Sequence, residues 1–101
     1  MIFIYANCKN TEDARKIATG LVNNRIAAGV DIFPIYSIFR DHDAVKGINA
    51  ATLVIKTEES KIQEAGDAIR AISPEAAPHI ISFAPFRINP EVKEWLRACV
   101  N

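Results

Sequence analysis

Two long segments rich in β-branched and aromatic residues occupy the middle of the chain, Ile26 to Phe39 and Ile48 to Thr57. Such residues favour strands, and the polar residues Asp41-His42-Asp43 between the segments are typical of a turn. Proline cannot donate a ladder hydrogen bond, so Pro34 predicts an edge strand or a bulge in the first segment. The continuous apolar run Leu53-Val54-Ile55 fits a more central strand. The chain therefore requires a sheet with one long strand at its rim.

A shorter strand and a helix precede this pair. Ile2 to Asn7 predicts a buried strand that ends in a polar turn. Asn10 or Thr11 predicts the start of a helix, because acidic residues then occupy its first turn. Apolar residues recur at spacings of three and four from Ala14 to Val22, which gives this helix one apolar face. We expect it to end near Asn23-Asn24, since asparagine tolerates the left-handed conformation.

A second helix and a fourth strand follow the pair. Ser60-Lys61-Ile62-Gln63 fits a capping box, and the helix that it opens should stop before Ser73-Pro74, because the residue before proline disfavours helix. His79 to Phe86 predicts the last strand. Asn89-Pro90-Glu91 supplies a cap, a proline at the first helical position and an acid, and predicts a terminal helix through Trp95 and Leu96.

The resulting β-α-β-β-α-β order is the ferredoxin-like plan. We therefore predict an α+β fold with a four-stranded antiparallel sheet, two helices on one face and a short C-terminal helix. A single domain over residues 1–101 suits the chain length. In this plan the first strand lies antiparallel beside the last, so its end at Cys8 should approach the start of the last strand at His79.

Charge and cysteine content argue against several functional classes. The 12 Lys and Arg are balanced by 12 Asp and Glu, so the chain lacks the basic excess of a nucleic-acid binder. No run approaches the roughly 18 apolar residues of a membrane helix, and we expect no membrane partner and no secretory leader.

Two distant cysteines, Cys8 and Cys99, predict a reducing, cytoplasmic location. Glycine-rich phosphate loops and serine elbows are missing, so the sequence gives no support to phosphate-loop or hydrolytic chemistry.

Several segments, in order, resemble the CutA divalent-cation-tolerance family. Asn7-Cys8-Lys9-Asn10 resembles its Thr-Cys-Pro turn, and Ile26 to Pro34 is similar to its Leu-Ala-Ala-Cys-Val-Asn-Ile-Ile-Pro segment. Leu53 to Thr57 matches its Leu-x-Ile-Lys-Thr strand, and Trp95-Leu96 its terminal Trp-Ile. The resemblance runs along nearly the whole chain.

The sequence departs from that family at four places, one of which is the hairpin turn, where Arg40-Asp41-His42-Asp43 replaces its Trp-Glu-Gly. Gly29 stands where the family has a cysteine, Ser73-Pro74-Glu75 stands for its His-Pro-Tyr element, and His79 replaces an acidic residue. The chain therefore resembles a divergent member.

The resemblance implies a homotrimer in which long edge strands, Gly29 to Phe39 and Ala44 to Thr57, pair across subunits. Closed symmetry covers strand edges that would otherwise promote aggregation. The resemblance also implies a non-enzymatic role in divalent-cation or copper tolerance. A PII-like trimer that senses a small ligand, or a structural trimer that has lost its ligand site, is the alternative.

Cys8 and His79 are the candidate metal ligands. A thiolate and an imidazole suit copper or another divalent metal, and a third ligand would come from another subunit or from solvent. The competing interpretation is a buried thiol and a hydrogen-bonded histidine. Asp41-His42-Asp43 is interpreted as a solvated turn. Lys56 and Arg87 fit either an anion site between subunits or structural charges, and Trp95 is expected to anchor the terminal helix.

Overall fold

The computed structural model describes the backbone of residues 1–100 and the side chains of residues 1–76 and 79–100. The elements are β1 (Ile2–Cys8), α1 (Thr11–Asn23), β2 (Gly29–Asp41), β3 (Ala44–Thr57), a 3₁₀ turn (Glu59–Lys61), α2 (Ile62–Ile72), a 3₁₀ segment (Pro74–His79), β4 (Ile81–Phe83) and α3 (Pro90–Cys99). This order confirms the predicted ferredoxin-like plan with its additional C-terminal helix.

The four strands form one antiparallel sheet in the order β2-β3-β1-β4. β2 lies at the rim, as Pro34 predicts, and Pro34 stands opposite Ala51 of β3. β1 pairs with β3 only between residues 51 and 57. Among the described strands, residues 44–50 therefore have β2 as their only neighbour, and the expected edge character of Ala44 to Thr57 is restricted to this first half.

The core lies between the sheet and the helices α1 and α2. Ile4 of β1 and Leu53 and Ile55 of β3 are fully buried against Ile17 and Leu21 of α1. Burying one such side chain stabilises the fold by about 1.5–3 kcal/mol. The alternation of buried and partly exposed residues along β1 shows that only one sheet face carries these two helices.

Two helix starts are capped as the sequence predicts. Asn10 Oδ1 accepts a hydrogen bond from the Asp13 backbone N–H at 2.8 Å, and Asn89 Oδ1 accepts one from Val92 at 3.2 Å. Each cap contributes about 1 kcal/mol.

Two other local predictions have different outcomes. α1 ends at Asn23, as predicted, but the left-handed residue that follows is Arg25, with φ 57°, whereas Asn24 has φ −90°. The capping box does not form: Ser60 lies inside the 3₁₀ turn, and Lys61 precedes α2 without a side-chain cap. The extra turn moves the serine too far from the start of α2 to cap its free backbone N–H groups.

The last strand is shorter than predicted. It spans Ile81–Phe83 rather than His79 to Phe86, because residues 74–79 form the 3₁₀ segment that packs against β1. Pro85, which cannot donate a ladder hydrogen bond, lies shortly beyond its other end. His79 is therefore the last residue of a 3₁₀ segment and not a strand residue.

The bounds of the hairpin strands differ from those that the residue pattern predicts. β2 begins at Gly29 rather than Ile26 and extends to Asp41. β3 begins at Ala44, as the family resemblance implies, rather than at Ile48. The turn is reduced to His42 and Asp43, with His42 at φ 57°. Lys46 Nζ lies 2.6 Å from Asp41 Oδ2 near the turn. Both side chains are exposed enough for solvent to screen this pair.

The sheet face opposite α1 and α2 is rich in exposed apolar side chains. We call it the open face and define it by Phe3, Tyr5, Phe33, Ile81 and Phe83. Strand register places these residues on one side, and Phe33, Ile81 and Phe83 are 51%, 57% and 49% exposed. The rings of Phe3 and Phe83 lie 5.4 Å apart between centroids. An apolar area of this kind on a folded chain marks an interaction surface.

The terminal helix α3 is held at one end of the sheet. A Cβ atom at Gly29 would lie 2.9 Å from Trp95 Cη2, so glycine permits the close approach of the ring. Leu96 is fully buried, and Arg25 Nη1 donates to the carbonyl of Ala98 at 3.0 Å. Trp95 thus anchors the helix as predicted. Within residues 1–100, no helix has the length and hydropathy required to span a bilayer.

Candidate functional site

A pocket of about 400 Å³ lies where β1 ends. We call it the Cys8 pocket. The half of the β2–β3 hairpin nearer its turn supplies an apolar wall of Phe39, Ile48 and Ala50. The 3₁₀ segment closes the opposite side with Glu75 and His79. The pairing of β1 with β3, in which Cys8 stands opposite Ala51, places the hairpin beside Cys8, and the pairing of β1 with β4 brings the 3₁₀ segment to the same end of β1.

Cys8 lies in this pocket with only 3% of its surface exposed. Its thiol Sγ donates to the carbonyl of Asn10 at 3.4 Å. Burial is the main cause that raises the pKa of the thiol, and the carboxylates of Asp13 and Glu75 add to it. The thiol is therefore protonated at neutral pH, and a metal ion that binds the sulfur must displace this proton.

His79 lines the same pocket from the end of the 3₁₀ segment. Its exposure leaves the imidazole accessible to a ligand from solvent. The structure thus brings the two candidate ligands, Cys8 and His79, into one pocket, although His79 reaches it from a 3₁₀ segment. Glu75 is a third pocket residue with metal-binding chemistry that the sequence did not single out.

The described side chains of one chain do not form a complete metal centre. Over residues 1–76 and 79–100, no group of three or more His, Cys, Asp or Glu side chains is placed to hold a metal ion. Stable protein sites for zinc or copper use three or four ligands. Cys8 and His79 can therefore supply only part of a coordination shell.

The Cys8 pocket also has polar groups on its wall. Thr52, which is 4% exposed, donates from Oγ1 to Asn7 Oδ1 at 2.7 Å. Since this bond uses the amide oxygen, the Asn7 amide nitrogen remains a donor on the pocket wall. Lys9 and Ser37 add further donors. Sequence patterns contained no signal for Asn7 or Ser37, because their placement depends on strand register.

The other charged residues considered from the sequence have partners elsewhere. Lys56 Nζ lies 2.9 Å from Asp31 Oδ2, and the Arg87 guanidinium lies 5.4 Å from the Phe86 ring centroid. His42 is 94% exposed at the hairpin tip, with Nε2 3.7 Å from Asp41 Oδ1. Asp41-His42-Asp43 is thus a solvent-exposed turn, as interpreted from its composition.

Comparison with known proteins identifies one family. The model of the family described as CutA1 divalent ion tolerance protein matches residues 2–99. A curated protein of Archaeoglobus fulgidus, "Divalent-cation tolerance protein CutA", is 30% identical over 99 residues, covering 98% of this chain and 97% of that protein. The "Protein CutA homolog" of Xenopus laevis is 31% identical over 93 residues, covering 91% of this chain but 62% of the relative.

Solved structures show the same fold. The "Periplasmic divalent cation tolerance protein CutA" from Archaeoglobus fulgidus superposes with a TM-score of 0.93 at 29% identity, and each chain is covered completely. The divalent cation tolerance protein of Thermus thermophilus gives a TM-score of 0.91, also at 29% identity and with complete coverage of both chains.

Proposed function

Because the chain belongs to the CutA1 divalent ion tolerance family, we propose that it acts in divalent-cation tolerance as a non-enzymatic, metal-binding homotrimer. The metal-binding part of this proposal rests on one observation, that Cys8 and His79 line the same pocket. The chain folds as one domain over residues 1–101 in this proposal. Two free cysteines favour a reducing compartment, and we place the protein in the cytoplasm.

The donor set fits a soft or borderline metal. Cys8 would bind as a thiolate and His79 as a neutral imidazole, and copper or another divalent ion accepts both. The carboxylates of Asp13 and Glu75, which disfavour a thiolate at Cys8, would favour a cation beside it. The metal, when bound, supplies a positive charge that compensates the thiolate. The remaining ligands come from solvent or from a second subunit.

The homotrimer is supported by surfaces that one chain leaves uncovered. β2 offers its outer backbone edge along 13 residues, and residues 44–50 of β3 lack a partner on the side away from β2 among the described strands. The open face adds exposed aromatic area. Long unpaired strand edges and apolar patches promote association, and closed symmetry limits it to a defined number of copies.

Metal titration of the reduced protein with Cu(I), Cu(II) and Zn(II) tests the proposal. Cys8→Ala and His79→Ala should each weaken binding of at least one of these ions by about tenfold or more, since each removes one of few ligands. Isothermal calorimetry and the metal-induced shift in melting temperature measure the effect.

The chain offers a matched control for each variant, because it contains two cysteines and two histidines. Cys99→Ala and His42→Ala should retain wild-type affinity, since neither residue lines the Cys8 pocket. Unchanged affinity in both Cys8→Ala and His79→Ala would reject these two metal ligands.

A PII-like role in sensing a small ligand is the second candidate. The Cys8 pocket has the volume of a small-molecule site, with one apolar wall and several polar groups. Against this candidate, PII proteins carry a long loop between the second and third strands, and here the turn is only His42 and Asp43. Nucleotide binding without any metal response would favour this role, and neither response would favour a structural trimer.

A further inference from the structure

The Cys8 pocket carries two unlike charges on opposite sides. Lys9 lines it at the end of β1, and Glu75 lines it from the 3₁₀ segment. Among the described side chains, neither residue forms an ion pair or a side-chain hydrogen bond, and the two do not pair with each other. Both residues are exposed, so a ligand from solvent can reach them. A ligand with one negative and one positive group complements these charges.

Neutral donors share the pocket wall with Lys9. Asn7 precedes Lys9 by two residues, and its amide oxygen already accepts from Thr52 Oγ1 at 2.7 Å, so that its amide N–H groups remain available to a ligand. The Ser37 hydroxyl is a further donor from β2. A carboxylate only accepts hydrogen bonds, so these donors and the Lys9 ammonium suit the anionic end of a ligand.

The hairpin side of the pocket offers apolar surface to the same ligand. Strand register places Phe39 and Ile48 on the same side of the sheet as Asn7. Ile48 is 46% exposed, so covering it with an apolar group removes hydrocarbon surface from water. The volume of about 400 Å³ lies in the range of small-molecule sites. The pocket therefore combines an anion-binding part, a cation-binding part and an apolar part.

We propose that the Cys8 pocket binds an apolar α-amino acid. Lys9 and Asn7 bind its carboxylate, Glu75 binds its ammonium group, and its side chain lies against the apolar wall. A polyanion such as a nucleotide phosphate suits the pocket poorly, because it would meet one lysine together with the repelling carboxylate of Glu75. This binding goes beyond the proposed metal role and requires neither a metal ion nor a thiolate.

Calorimetry of the full-length reduced protein in EDTA, with L-leucine as the probe, tests the proposal. Three analogues each lack one part of leucine: isocaproate lacks the ammonium group, isoamylamine lacks the carboxylate, and glycine lacks the apolar side chain. Each should bind about tenfold or more weakly than leucine, because a charged hydrogen bond or the burial of the isobutyl group is lost. Isocaproate or isoamylamine that binds as tightly as leucine would overturn the assignment to an amino acid, and so would glycine.

Variants of the two charged residues show whether leucine occupies this pocket. Lys9→Gln and Glu75→Gln should each weaken leucine binding about tenfold, whereas Lys93→Gln and Glu94→Gln of α3, which do not line the pocket, should retain wild-type affinity. Lys9→Gln should leave the affinity for isoamylamine unchanged, and Glu75→Gln should leave that for isocaproate unchanged. A general loss of folding would not produce this selective pattern, and an unchanged melting temperature confirms that each variant folds.

Two results would overturn the proposal: no leucine binding to the wild-type protein at millimolar concentration, or wild-type leucine affinity in both Lys9→Gln and Glu75→Gln. Because EDTA removes metal ions from the assay, either result leaves the metal titration of Cys8→Ala and His79→Ala as a separate test. The two proposals therefore fail independently of each other.

Discussion

Phe83→Asp is expected to convert a species of about 34 kDa, three copies of the 11.2 kDa chain, into a monomer. Phe83 lies on β4, is 49% exposed on the open face, and contacts the ring of Phe3. A subunit interface that covers this face would have to bury the new carboxylate without a partner, and burying an unpaired charge costs several kcal/mol. Sedimentation velocity at micromolar concentration measures the change in mass.

Val22→Asp is the matched control for this change. Val22 is 43% exposed, close to the exposure of Phe83, but it belongs to α1 on the helix-covered side of the sheet. The same kind of substitution there should leave the mass at its wild-type value. A Phe83→Asp protein that sediments like the wild type would show that the open face is not a subunit contact.

Leu53→Ala is expected to lower the free energy of unfolding by about 3–5 kcal/mol, the usual range for a fully buried leucine. Leu53 lies on β3 between β1 and β2, opposite Ala6 and Ile32, and it is completely inaccessible in the core below α1. Truncating the side chain leaves a cavity that the surrounding side chains of β1, β2 and α1 cannot fill completely. Such a loss is a large fraction of the stability of an ordinary domain.

Urea unfolding followed by circular dichroism, at one fixed protein concentration, measures this loss, because oligomer stability depends on concentration. Val22→Ala provides the comparison, since it trims a partly exposed aliphatic side chain of α1 and should cost much less. A change below about 1 kcal/mol for Leu53→Ala would contradict the assigned core.

The sequence predicts the order of elements well because each has a local signal. Asn10 and Asn89 act as helix caps because their side chains reach backbone N–H groups three residues away, a purely local interaction. Pro34 indicates a rim strand because a proline has no N–H to donate to a second neighbour. The family resemblance added the expectation of a trimer, which no local pattern contains.

Local sequence patterns did not predict features that depend on contacts between residues distant in the sequence. β3 extends to Ala44 because β2 pairs with it along its whole length. Ala44-Val45-Lys46-Gly47 has no strand pattern, and only the family resemblance indicated a strand there. β4 has only three residues because the residues that precede it form the 3₁₀ segment. The juxtaposition of Cys8 and His79 followed from antiparallel topology and could be predicted.

Ser73 illustrates the same limit. From the sequence it is a residue before a proline, where a helix ends. The structure buries its side chain completely and leaves Oγ without a hydrogen-bond partner among the described residues. The burial of a single hydroxyl produces no periodic sequence pattern from which it could be predicted.

Native mass spectrometry of the reduced wild-type protein with Zn(II) or Cu(I) tests the central claim, that this chain is a metal-binding homotrimer, most directly. We expect a species of about 34 kDa, three copies of the 11.2 kDa chain, that carries one metal ion per subunit and loses this metal in Cys8→Ala. A metal-free monomer of 11.2 kDa as the main species would contradict the claim.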